Sequence, residues 1–267
     1  MMIGRLPEDG TLQLGSVTLP SGRQVMARYG SGQPVAWATD AKLPDPGRVW
    51  AALSDIQPHT GLVPILLSSL RGEPKRPWDD GEFEDPEDTS VLDYSDAERL
   101  LKAAWTGGIG ELDEAEEEDP DLIADRAPFG RRFPGLAPPG DSALSPAQVQ
   151  EALGSLRPAR IGLVTAARPA DVLPRIGWTG ATNRYETPLP IAGVLRSWED
   201  RFGARLLEVG MADIRLLVQR PPHTLEQAER VAAEQYGFAD EFGRVPRSIP
   251  KLAASLVNAP IWTFWWD

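Results

Sequence analysis

A chain of 267 residues, 42% hydrophobic and 25% charged, has the size and composition of one large globular domain or two modest ones. It has no cysteine and only two histidines, His59 and His223, which excludes disulfide frameworks, zinc–thiolate and iron–sulfur centres, cysteine nucleophiles and histidine-cluster metal sites. A net charge of −12 argues against nucleic acid as a partner, and no apolar run approaches the roughly 18 residues of a membrane span.

Glu8 and Asp9 stand where a signal peptide would have its apolar stretch, so a cytoplasmic location is expected. Residues 11–27 read as a hairpin, with Leu12, Leu14, Val17 and Leu19 ahead of a turn at Pro20-Ser21-Gly22-Arg23 and Val25 after it. A short strand is expected over 35–38, and then a helix over 46–54 with Val49, Trp50 and Leu53 inward. Leu62 to Leu67 suits a buried strand, although Pro64 demotes it toward a sheet edge. Ser95 with Glu98 forms a capping-box signature ahead of Ala97, Leu100, Leu101, Ala104 and Trp105 on one helical face.

Residues 79–125 hold 19 acids and two bases, Arg99 and Lys102, a balance of −17 that accounts for the acidity of the whole chain. The two densest blocks, Asp79–Asp88 and Glu111–Asp119, repel themselves and read as solvated. The second block runs into a proline-punctuated stretch, so residues 108–140 read as an acidic linker between an N-terminal unit (1–107) and a C-terminal domain (141–267).

Downstream, Ser145-Pro146 opens a helix, Ile161–Thr165 is a strand, and Ile191, Val194, Leu195, Trp198 and Phe202 share a helical face that Gly203 ends. Arg205–Val209 and Ile214–Gln219 form a hairpin, Thr224 with Gln227 caps a helix, Ser248 begins another, and a strand closes the chain. The expected plan is α+β, or mixed α/β: two small units, each a mixed sheet packed with helices.

In the closing strand, Trp262, Phe264 and Trp266 share one face, and Ile261, Thr263 and Trp265 the other. Such a strand is either covered on both sides or presents one face to a partner. The runs Arg196–Ala204 (RSWEDRFGA), Arg220-Pro221-Pro222, Ala232–Phe238 (AAEQYGF) and Trp262–Asp267 (WTFWWD) together resemble a bacterial family, domain of unknown function 4253, over roughly residues 169–267. The resemblance implies a fold and a bacterial setting and no reaction. The family pattern has a histidine after the glutamate where this chain has Gln235, so no His–Glu site is implied at Glu234.

No nucleophile elbow, Gly-rich phosphate loop or internal repeat is present. The carboxylates of the resembling region are Glu199, Glu226 and Glu234; two of them meeting over a cleft would do acid–base work, with His59 at a helix-to-strand turn as a further catalytic candidate. Asp79, Asp80, Glu82, Glu84 and Asp85 lack the spacing of a calcium loop, so neither metal nor cofactor is expected. The reading that fits is a non-enzymatic protein-binding module, immunity-type among the options, engaging a basic protein. Trp78, Asp79, Asp80, Trp265 and Asp267 are its contact candidates. The alternative is a carboxylate- or metal-dependent hydrolase or transferase with a site between the two units. A homo-oligomer is compatible with either.

Overall fold

The structure, a computed structural model, describes residues 4–28, 30–69, 76, 78, 83–110, 120–239, 242 and 245–266. Its strands are β1 (Gly10–Leu14), β2 (Val17–Met26), β3 (Pro34–Thr39), β4 (Leu62–Leu67), β5 (Arg160–Thr165), β6 (Ala204–Val209), β7 (Asp213–Val218) and β8 (Ile261–Trp265). The helices are α1 (Pro46–Thr60), α2 (Ala97–Gly110), α3 (Pro120–Asp125), α4 (Pro146–Gly154), α5 (Val172–Arg175), α6 (Leu189–Phe202), α7 (Leu225–Phe238) and α8 (Ile249–Leu256).

The α+β plan holds, with one correction. The strands form a single mixed sheet of eight, in the order β1-β2-β3-β5-β4-β6-β7-β8, where the sequence suggests two separate sheets. β5 causes the merger: it inserts between strands of the N-terminal stretch, pairing with β4 from Leu62↔Thr165 to Leu67↔Arg160 and with β3 at Trp37↔Leu163 and Ala38↔Gly162. All six residues of β4 are buried, and a strand that is apolar on both faces needs neighbours on both edges as well as cover above and below. Pro64 therefore sits in a central strand rather than at an edge. Its carbonyl accepts a hydrogen bond from Trp50 Nε1 at 2.9 Å.

The first hairpin also differs. Gly15, at φ 56°, turns the chain at Gly15-Ser16, and β2 runs unbroken through the expected turn at Pro20–Arg23, with a register shift opposite Gly10–Leu12. Gly22 is part of the reason: a Cβ there would collide with the indole of Trp37, so the backbone lies directly against that ring. The expected helix signals mostly hold. Ser145 and Gln148 close a capping box, Thr224 accepts from Gln227 N, and Gly203 (φ 61°) ends α6 in the left-handed conformation. For α2, Asp96 rather than Ser95 receives the first-turn amide, from Arg99 N at 3.0 Å.

Each face of the sheet is covered. α1 and α4 pack on one through Trp50, Leu53 and Leu153, against Leu19, Trp37, Leu66, Leu163 and Leu207. On the other lie α2 and α5–α8, over a larger core that includes Trp198, Phe202, Phe238, Trp262, Phe264 and Trp266. Phe133 and Ala137, from the stretch read as linker, are buried in this second core.

β8 is an edge strand with one sealed face. Trp262 and Trp266 are each 1% exposed and Phe264 is fully buried. Phe264 stacks on Trp198 with ring centroids 5.3 Å apart, and Phe238 meets Phe264 and Trp266 edge-on at 5.1 and 5.3 Å. The opposite face, including Trp265, is half-buried. Phe264→Ala should therefore cost about 3–5 kcal/mol in denaturant unfolding, and Trp265→Ala markedly less; equal losses would contradict this division of the strand.

Candidate functional site

Glu234, on the inner face of α7, is fully buried. Its carboxylate receives four donors, two on each oxygen. Oε1 accepts from Ala137 N (2.6 Å) and Arg201 Nη1 (2.8 Å), and Oε2 from Trp198 Nε1 (2.8 Å) and Arg201 Nη2 (2.6 Å). Arg201 also donates to Ala137 O (2.9 Å) and Ser197 Oγ (3.1 Å), and its guanidinium lies 4.9 Å from the centroid of Phe202. A carboxylate offers about four lone-pair sites, so Glu234 has none left for a substrate or a proton in transit. Its place is a structural joint between α6, α7 and the segment around Ala137.

The same joint gathers the sequence runs that stand out in the C-terminal stretch. Trp198 and Arg201 belong to the first, Glu234 and Phe238 to the third, and Trp262, Phe264 and Trp266 to the last, all in one contiguous cluster. Residues 160–267 match the family described as domain of unknown function (DUF4253). The match starts at the first residue of β5 and takes in β5–β8 with α5–α8, while β3 and β4, which flank β5, lie outside it. No curated protein and no solved structure matches the chain.

Within the DUF4253 part, Glu199 belongs to a different network from Glu234. It lies on α6 two residues before Arg201, a spacing that sends the two side chains to different sides of the helix. Its Oε2 accepts from Ala170 N at 3.1 Å, and Oε1 is 3.4 Å from Arg168 Nε. Burial pushes its carboxyl pKa up, against the opposing pull of Arg168. Glu199 lines a cleft between α1, the end of α6 and the start of β6, and neither Glu234 nor His59 is part of that lining. His59 is exposed near the end of α1. The convergence of His59, Glu199 and Glu234 that a catalytic centre would need is not formed.

Trp78 is 3% exposed and stacks under the Arg160 guanidinium at 5.6 Å, so it anchors its segment from the inside. Asp79, Asp80 and Asp267 lie outside the described residues. Trp265 stands opposite Asp213 across the β7–β8 ladder. The carboxyl of Asp213 is pushed up to about 6 by burial and by the nearby charge of Glu208, with Arg215 opposing.

A second concavity lies on the α2/α6 side of the sheet. Its volume is about 390 Å³, and Glu84, Asp85, Glu87 and Glu186 line it together with Thr179, Thr182, Thr187 and Tyr185. The strand-like strap carrying the first three acids is fixed by Glu84 N to Gly177 O and Glu87 N to Pro174 O, each 2.9 Å, beside an isolated bridge between Phe83 and Trp178. Asp85 is engaged by Ser31 through its backbone N and hydroxyl. Burial raises the Glu87 carboxyl, which a hydrogen bond with Thr187 partly offsets. None of the lining residues is a lysine or arginine. The acidic run announces three of these groups in the sequence. Glu186, a hundred residues away, gives no local sign of joining them. Among the described residues no group of three or more His, Asp or Glu side chains is arranged to hold a metal ion.

Two variants test the electrostatics. Glu234→Ala strands Arg201 in the core and should cost about 3–5 kcal/mol in chemical unfolding, whereas joint replacement by Arg201→Met and Glu234→Leu should cost less than the single change. For Asp213, the folded state holds the proton more tightly than the unfolded chain, so its contribution falls as pH rises from about 4 through 6. Asp213→Asn should raise the melting temperature near pH 7.5 and leave it unchanged near pH 4; the reverse order would disprove the assignment.

Proposed function

We propose that the protein is a non-enzymatic binding module of the bacterial cytoplasm that engages a basic protein partner, in the manner of an immunity protein neutralising a cationic domain. The observation that carries this reading is the acidic concavity bounded by Glu84–Glu87 and Glu186: four carboxylates without a cationic side chain in its lining, one of them raised by burial. A carboxylate in that condition gains from an incoming ammonium or guanidinium, which restores the stabilisation that desolvation removes. The remaining acids of the 79–125 segment add a long-range field that speeds encounter with a positive surface. That no helix among the described residues is long and apolar enough to cross a membrane accords with this reading.

The alternative, a carboxylate- or metal-dependent hydrolase or transferase, rests on Glu199, a carboxylate raised by burial in a cleft, without His59 or Glu234 beside it.

The test is a titration of the intact protein with an arginine- and lysine-rich peptide at low and high salt, repeated with the double variant Glu87→Lys and Glu186→Lys. Binding should weaken by at least about tenfold at high salt and again by that factor with charge reversal. A salt-insensitive affinity, or one untouched by the reversal, would remove the proposal.

A further inference from the structure

The sheet has one parallel junction, β4 beside β6, and there its pairing is confined to Leu66↔Glu208 and Leu67↔Val209. The earlier residues of the two strands are not paired across it. Trp50 of α1 fills part of the opening, donating its indole N–H to Pro64 O, and the Arg205 guanidinium at the start of β6 lies over its ring at 5.6 Å. Beyond the indole is a cleft of about 300 Å³ walled by α1, the end of α6, the start of β6 and the chain leaving β7.

Among the described residues, three polar side chains at this cleft make no side-chain hydrogen bond. Ser54 and Gln57 follow Trp50 on the same face of α1 and are 5% and 8% exposed. Ser54 Oγ has no hydrogen-bond partner. The Gln57 amide makes no hydrogen bond among the described residues, and neither does the half-buried guanidinium of Arg205, which lies against the Trp50 ring. A guanidinium carries five N–H donors, and those of the half-buried Arg205 are open to an incoming acceptor. Glu199 and Asp55 act on it through space, without an ion pair among the described residues. Arg220 adds a second positive charge to the wall, with one N–H already given to Asp200 O at 3.1 Å.

We propose that this cleft is a binding site for a small organic anion, whose carboxylate or phosphate group is received by Arg205 together with the Gln57 amide and the Ser54 hydroxyl. The guanidinium fork matches an oxyanion in two parallel hydrogen bonds, and the Trp50 face beneath it fixes its plane. The volume is at the small end of ligand sites, so the ligand is of metabolite size. At Gln219 the cleft adjoins a groove of about 710 Å³ between α1 and α4, which leaves room for a longer tail. This site is separate from the acidic concavity and does not depend on the reading built on it.

The test is calorimetric titration of the intact protein with malate and with inorganic phosphate, each against sodium chloride of matched ionic strength. At least one should bind saturably; malate alone identifies a carboxylate ligand, and phosphate alone a phosphate ester. Arg205→Gln should weaken that binding by at least about tenfold, and Lys251→Gln, on the far face of the sheet, should leave it unchanged. If Arg205→Gln does not fold, Gln57→Glu decides, since a carboxylate placed at the same point repels the anion. Saturable binding by neither probe, or undiminished binding by the folded variants, would overturn the site.

Discussion

The buried ion pair of Arg201 and Glu234 organises the larger of the two cores. Arg201 and Glu234 meet face to face with bidentate geometry, and around them are tied Trp198, Ser197 and both backbone polar groups of Ala137. Desolvating two charges is expensive, and such a pair persists only when every donor and acceptor is answered. Here the carboxylate on α7 has its four acceptor sites filled from two other segments, so α6, α7 and the chain near residue 137 have few ways to shift independently. Trp198 then passes the constraint onward: its N–H is pinned to Glu234, and its ring stacks on Phe264 and meets Trp262 edge-on, fixing β8 against the helices.

The other organising constraint is the merging of distant stretches into one sheet. β4 is apolar on both faces and preceded by a helix whose Trp50 reaches back to its third residue. Such a strand cannot be left at an edge, and β5, nearly a hundred residues later, supplies the missing ladder. Its other neighbour, β6, touches it over only two residue pairs. The sheet is therefore continuous by topology yet open over part of one seam, and the indole of Trp50 and the guanidinium of Arg205 occupy that opening.

Local features were readable in the sequence because their causes are local. Gly203 ends α6 since a left-handed residue is needed there, Ser145 with Gln148 caps α4 by reciprocal hydrogen bonds, and the alternation in Trp262–Trp266 marks which rings go inward. Pro64 misled because its rule concerns a missing N–H in a ladder, and a side chain from α1 rather than a sheet neighbour meets the remaining carbonyl. The fate of the carboxylates was not readable at all. Glu199 and Glu234 look alike on paper, and what separates them is the partner each finds: Arg168 and an exposed rim for one, Arg201 and full enclosure for the other. Arg205 gave no signal either, because the absence of a partner is a property of three dimensions.

α6 joins the two charged concavities. Pro188, just before the helix, and Ile191 in its first turn line the acidic one, and Glu199 near its end lines the cleft beside Arg205 and Arg220. The arrangement suits the helix macrodipole, whose positive end lies toward Glu87 and Glu186 and whose negative end lies among Arg201, Arg205 and Arg220. From Ile191 to Glu199 the helix rises about 12 Å, more than the roughly 8 Å over which physiological salt screens exposed charges. A cation at one end and an anion at the other would thus be accommodated on one rigid element with little mutual influence through the field. Any coupling between them would have to pass through the packing of α6 itself, and the Arg201–Glu234 joint holds that packing in a single arrangement.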